Sequence, residues 1–141
     1  MVISEEAQAL ANKWNMIQEK YSGGEKYKPI GGAHADQQLA WAAECGDIEA
    51  VQLMVEYGGY EINTGPTGAS VALESATYRN HHDVVSYLIG KGARLDSFFI
   101  KQLNDETGTV KNGLFERTSP ELIEYLREVA YTQNQAMKTD L

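Results

Sequence analysis

Two stretches of the chain carry one pattern. Residues 39–58, LAWAAECGDIEAVQLMVEYG, and residues 73–92, LESATYRNHHDVVSYLIGKG, align without a gap at a shift of 34. Leu39 falls on Leu73, Ala42 on Ala76, Glu49 on Asp83, Val51 on Val85, Met54 on Leu88, Val55 on Ile89 and Gly58 on Gly92. Apolar and small positions recur together, and a fixed period in this range is the signature of a repeat architecture. One such unit cannot bury its own apolar face. Neighbours must stack, and the outer faces of the stack need caps.

Each unit reads as two short antiparallel helices joined by a tight turn. The first helix holds Leu-x-x-Ala, whose small alanines let another helix pack closely. The turn falls at Cys45-Gly46-Asp47 and at Arg79-Asn80-His81, where Gly and Asn suit a left-handed backbone. The second helix carries Ile48, Val51, Met54 and Val55, or Val84, Val85, Leu88 and Ile89. Gly58 and Gly92 are placed to end it. Between the units lies GYEINTGPTGAS, whose Gly, Pro and Thr are turn chemistry.

These units resemble ankyrin repeats. The matching skeleton is Leu-x-x-Ala, then Gly or Asn, an acidic residue, Val, an aliphatic pair and Gly. Gly92-Ala93-Arg94-Leu95-Asp96 is similar to the family's closing Gly-Ala-Asp-Val-Asn, and Ile62-Asn63 to the same ending in the first unit. Two features depart from the family. Gln37-Gln38-Leu39-Ala40 and Val71-Ala72-Leu73-Glu74 stand where Thr-Pro-Leu-His is usual, which removes a hydrogen-bond network between repeats. The first unit also has one extra residue near Gly59-Tyr60, expected to distort its finger turn. The resemblance covers residues 36–96. It implies an all-α fold, an ankyrin-like helical repeat stack (α-solenoid) with N- and C-terminal capping helices. The tetratricopeptide class shares the period, but its Trp-x-x-Leu-Gly-x-x-Tyr pattern is absent.

The flanks supply the caps. Ser4 can cap a first helix with Glu5 and Glu6 in its first turn. Ala7, Leu10, Ala11, Trp14 and Ile17 make its apolar stripe. Ser22-Gly23-Gly24 ends it, and the Gly- and Pro-bearing stretch GGEKYKPIGGAHAD follows as a loop. Phe98, Phe99 and Leu103 suit the first helix of a degenerate third unit, followed by the insertion ETGTVKNGLFERT. Ser119-Pro120-Glu121 starts a last helix, with Leu122, Ile123, Leu126, Val129 and Ala130 on one stripe. The single domain, 1–141, then divides into an N-terminal capping helix and loop (1–35), repeat one (36–66) and repeat two (67–96). A degenerate third repeat and C-cap (97–132) and a fraying tail (133–141) follow.

Composition narrows the function. At 141 residues the chain suits one domain. Twelve Lys and Arg against twenty Asp and Glu give a net charge of -8. That opposes binding to a nucleic-acid backbone or an anionic membrane, both of which need a positive footprint, and leaves a basic protein partner open. Cys45 is the single cysteine, so neither an internal disulfide nor a multi-cysteine zinc site is available. MVISEEAQAL has no basic region and no long apolar run, so a secretory signal is not expected. No apolar stretch approaches the ~18 residues of a membrane span. A reduced, cytoplasmic setting is the expectation.

The chain offers little for catalysis. His81 and His82 are adjacent at a helix start and point ~100° apart, so they do not share a ligand face; a turn-stabilising role is expected. His34 lies in a loop with no partner at metal-ligand spacing. Cys45 reads as a buried or half-buried inert thiol, about one helix diameter from His81. No nucleophile elbow, P-loop or dinucleotide fingerprint occurs. Glu5-Glu6 and Asp105-Glu106 look like exposed helix ends. No cofactor, metal or catalytic residue is expected.

Binding is the better expectation. By the resemblance, Trp41 (counterpart Ser75) faces the concave groove, and Glu44-Cys45 and Tyr78-Arg79 border it. Trp, Tyr and Arg dominate interface energies when desolvated. Trp41 and Tyr78 are the expected anchors, and Glu44 and Arg79 the polar rim. Packing of Trp41 under the N-terminal cap is the alternative. Tyr60 and Glu61, with Thr64 and Thr67, offer an aromatic and polar finger edge. Thr139-Asp140-Leu141 is similar to a PDZ ligand. The expected function is a non-enzymatic protein–protein interaction module, such as a small acidic inhibitor or immunity-type protein docking a basic partner. A nucleic-acid-mimicking inhibitor and a small Cys/His-dependent hydrolase are the alternatives.

Overall fold

A computed structural model describes residues 3–21, 35–104, 115 and 117–139, with side chains left undescribed at 35–36 and 135–139. The described residues are all-helical: α1 (Glu5–Tyr21), α2 (Ala35–Glu44), α3 (Ile48–Glu56), α4 (Val71–Tyr78), α5 (His82–Gly90), α6 (Ser97–Leu103) and α7 (Pro120–Thr139). Ser22-Gly23-Gly24, His34, Asp105-Glu106, most of the insertion and Asp140-Leu141 lie outside the described residues.

The two units share their hydrogen bonds as well as their letters. At the end of α2, Gly46 N–H donates to the Ala43 carbonyl (3.1 Å) and Asp47 N–H to that of Ala42 (3.0 Å). At the end of α4, Asn80 N–H donates to Thr77 (3.0 Å) and His81 N–H to Ala76 (2.9 Å). Gly46 and Asn80 both take positive φ, 72° and 61°. Glycine does so without a Cβ penalty, and asparagine tolerates it better than most residues. α2 packs along α4, and α3 along α5. Ala42, Ala43, Ala72 and Ala76 are buried beside Leu39 and Leu73. Val51, Met54, Val84, Val85 and Leu88 are also fully buried, while Ile48, Val55 and Ile89 pack at the core's edge.

The extra residue of the first unit can be located. Tyr60 N–H reaches the Met54 carbonyl (2.9 Å) as Ala93 N–H reaches that of Leu88 (2.9 Å). The shift has therefore dropped from 34 to 33 across the loop. The left-handed glycine matching Gly92 (φ 95°) is Gly59 (φ 67°). Gly58, expected to end the helix, is the inserted residue. It is also a seat: a Cβ there would run into the Trp14 indole.

Side chains cap the helices and tie the units together. Ser70 caps α4 at Leu73 N–H (3.1 Å). The Asn63 side chain accepts from Arg94 N–H (2.9 Å) and donates to the Gly92 carbonyl (3.0 Å), tying the end of one unit to the end of the next. Gln133 does the same from α7, to the Ala93 carbonyl (2.9 Å) and Leu95 N–H (3.3 Å).

Both flanking helices form where expected. Ser4 Oγ accepts from Ala7 N–H (3.1 Å), and Ser119 Oγ from Leu122 N–H (3.2 Å). Leu122, Leu126 and Ala130 are buried, as are Phe99 and Leu103. Phe98 lies in α6 with Phe99 and Leu103, on its exposed side. Two expectations need correction. Leu10 is exposed; the seat at Gly58 and the burial of Tyr21 fix which side of α1 faces inward. The tail from 133 does not fray at once: α7 continues to Thr139, and Gln133 is fastened to the backbone of Ala93 and Leu95.

Candidate functional site

An open depression forms where the turns of the two units meet. Trp41, Glu44, Cys45, Arg79, His81 and Arg117 line it. Trp41 is 43% exposed. Its ring stands edge-on to Tyr21 at 5.3 Å and 85°. One edge packs against the N-terminal helix, and the rest faces solvent. Tyr21 backs that ring from below the surface. It is wholly buried, and its hydroxyl donates to Asp47 Oδ2 (2.7 Å). Burial, and then the Asp47 carboxylate, push that hydroxyl's pKa well above the usual tyrosine value.

Asp47 ties this corner together. It caps α3 through Ala50 N–H (3.2 Å) and accepts from Lys20 Nζ (3.2 Å) as well as from Tyr21. Burial alone would raise its pKa. The hydrogen bonds from Tyr21, Ala50 and Lys20 outweigh that and hold it below the ordinary value.

The rim joins the units. Arg79 Nη2 meets Glu44 Oε1 at 3.0 Å, an exposed pair. His81 Nε2 donates to the Glu44 carbonyl (2.8 Å), because a carbonyl only accepts. Its ring covers Gly46, where a Cβ would sit 2.6 Å from Nδ1. His82 instead pairs with Ser119 Oγ (3.0 Å). The adjacent histidines therefore serve different neighbours, one the unit before and one the helix after. Arg117 is exposed at the far side of the depression.

Cys45 is exposed, not buried or half-buried as expected. It follows the last turn of α2, past the alanines that face α4. His81 lines the same depression. Both ring nitrogens nevertheless lie against backbone at Glu44 and Gly46, which opposes a thiol–imidazole pair. Among the described residues, no three His, Cys, Asp or Glu side chains are grouped to hold a metal ion.

Two expected surface residues turn inward. Tyr78 is half-buried against Phe99 and Phe115, with ring centroids 5.8 Å away in both cases. It follows the buried Ala76 and Thr77 and faces Phe99 of α6, not the depression beside Trp41. Tyr60 packs on Trp14 at 5.6 Å. Its hydroxyl donates to Gln38 Oε1 (2.7 Å) and accepts from Gln18 Nε2 (2.9 Å). The finger aromatic thus fastens α1 to α2. Glu61 stays exposed at the edge. His81, Arg117 and Tyr21 were missed as parts of the site. Aligning the turns would have placed His81 opposite Asp47, whereas nothing in the local pattern marks Arg117.

A second polar cluster lies at the start of α6. Asp96 caps that helix through Phe99 N–H (2.7 Å). The half-buried Glu74 of α4 feels the Asp96 carboxylate, and Tyr78 stands one turn further along α4. Burial first, and then Asp96, push the Glu74 carboxyl up to about 7. Burial, Glu74 and Asp96 push the Tyr78 hydroxyl up to about 12.

No family model matches the chain, and neither a curated protein nor a solved structure matches it.

Proposed function

We propose that this chain is a non-enzymatic binding module: an ankyrin-type stack of two repeats and a degenerate third, capped by α1 and α7, that docks another protein. The supporting observation is Trp41, a large aromatic left 43% exposed in an open depression while Tyr21 fixes its other edge. A rigid, pre-positioned aromatic beside an arginine is the arrangement that makes a binding hot spot, because little side-chain entropy is left to lose on docking. Trp41 is the anchor, and Glu44, Arg79 and Arg117 form the rim. Tyr78 and Tyr60 no longer belong to the set, being committed to internal packing. Glu61 remains a candidate for the outer edge.

The net charge of -8 supports a basic partner, drawn in by the long-range field. An inhibitor or immunity-type role fits a small acidic domain of this kind. Acid-based mimicry of nucleic acid ranks second. Glu121, Glu124 and Glu128 line one depression along α7, a single row where mimicry of a duplex would favour two.

Capture from native lysate with wild type and with Trp41→Ala tests the reading. The variant should bind the captured protein more weakly by over ~1 kcal/mol. Trp41→Phe, which keeps a ring beside Tyr21, should retain stability and lose part of the affinity. Unchanged affinity in Trp41→Ala with a lowered melting temperature would make Trp41 a packing residue only.

A further inference from the structure

We propose that the depression beside Trp41 selects one acidic side chain of the partner, an aspartate or glutamate flanked by an apolar residue, and grips its carboxylate between Arg79 and Arg117. The inference rests on the docking function and adds the chemistry of the group that docks. Of the charged residues lining the depression, Arg79 and Arg117 oppose Glu44, so with neutral histidine the site carries one positive charge in excess. The chain as a whole carries -8. A positive site in an acidic molecule acts locally. It chooses an anion at contact, while the wider field still draws in a basic partner.

Both arginines are placed by the fold. Arg79 follows the last turn of α4, and its Nη2 meets Glu44 Oε1 at 3.0 Å. That single exposed contact leaves the other N–H groups of Arg79 for a ligand. Arg117 is positioned by the two residues after it. The buried Thr118 donates its hydroxyl to the Thr77 carbonyl (2.8 Å), and Ser119 N–H donates to Asn80 Oδ1 (2.9 Å). A segment outside the repeat pattern is thereby pinned to the turn that carries Arg79, and it brings a second guanidinium to the same depression. Among the described residues, no hydrogen bond or ion pair engages the Arg117 side chain. Planar guanidinium forks match a carboxylate, and the exposed Trp41 ring beside them offers a surface to its apolar neighbour. A phosphate fits less well, because its second charge would meet Glu44 and the overall -8 with no further cation to offset it.

Titration of the labelled full chain with acetyl-Leu-Asp-Leu-amide tests this, followed through the Trp41 indole N–H and the Nε–H signals of Arg79 and Arg117. Trp14, seated against Gly58 and packed on Tyr57 and Tyr60, is the internal reference. The Asp peptide should shift Trp41 and both arginines saturably. Its neutral isostere, acetyl-Leu-Asn-Leu-amide, should bind about tenfold more weakly, since hydrogen bonds to a charged group are the stronger class. Arg117→Gln, a change at an exposed side chain, should bring the two peptides to within about twofold of each other, because Arg79 then only balances Glu44. Equal binding of the two peptides to wild type would overturn the inference; Trp41 would remain an anchor for an uncharged group and the docking function would stand. Tighter binding of acetyl-Leu-phosphoserine-Leu-amide than of the Asp peptide would overturn the choice of a carboxylate. No saturable shift at Trp41 with any of the three would overturn it too, whatever the Trp41→Ala capture shows.

Discussion

Gly58 and Gly59 are neighbours that solve different problems. Gly59 takes φ 67° with nothing near its missing Cβ, so its role is conformational. Gly58 gives the Trp14 indole its seat, so its role is steric. Gly58→Ala should cost roughly 1–3 kcal/mol by forced displacement of Trp14, read as a lower urea midpoint together with altered tryptophan emission. Gly59→Ala should cost about 1–2 kcal/mol from the left-handed backbone alone and leave the emission unchanged. Equal emission changes in the two variants would contradict the assignment. The sequence located an insertion near Gly59-Tyr60 but could not say which glycine was extra, because letters do not show where the Trp14 ring comes to rest. The same limit hid Tyr60 and Tyr78. An aromatic in a turn or at a helix end reads as a surface anchor until its ring partners are known.

Among the elements, the turns were the most legible and the fastenings between them the least. Gly46 and Asn80 were readable because few residues accept a left-handed backbone. That His81 would lie over Gly46 and bond to Glu44 was not, since it depends on the lateral spacing of α2 and α4. Gly46→Ala should therefore cost more than backbone strain alone, about 2 kcal/mol or more, because its Cβ would meet the His81 ring. Denaturant unfolding of Gly46→Ala and of Gly46→Ala/His81→Ala separates the two parts. The double variant should recover some of the loss, and no recovery would show that the ring does not cover the turn. The extent of α7 was misjudged for a related reason. The polar run after Thr132 has no apolar stripe, yet Gln133 holds the helix down by hydrogen bonds that periodicity does not record.

For the whole molecule, pH acts through two carboxylates of opposite sign. Glu74 has a folded pKa of about 7, above its ordinary 4.5. The folded state therefore binds the extra proton between those values. Its favourable contribution is complete below the lower one and is lost as pH rises through the higher. Asp47 is the reverse. Its folded pKa is depressed below 3.8, so its contribution is present above that value and is lost as pH falls through the depressed folded one. Thermal stability should accordingly be greatest near pH 5 and decline toward pH 8. The full Glu74 shift corresponds to about 3 kcal/mol, and solvent screening of a half-exposed group reduces this to about 1–2 kcal/mol. The surplus of negative charge adds to the same decline. A melting temperature that rises steadily from pH 5 to 8 would contradict the assignment. The all-helical class was the part most readily seen in advance, because the apolar positions recur at helical spacing in both units. The candidate site was only half legible: Trp41, Glu44 and Arg79 line one depression, while Arg117 comes from a segment without the repeat's pattern.

The side-by-side placement of the two units is tested most directly by nuclear Overhauser spectroscopy on the labelled chain. The structure predicts cross-peaks between the His81 imidazole protons and the Gly46 α-protons, across 35 positions of sequence. These should accompany helical patterns in both α2 and α4. Helical patterns in both units without any cross-peak from His81 to Gly46, or extended-strand patterns in either one, would contradict the stacked arrangement.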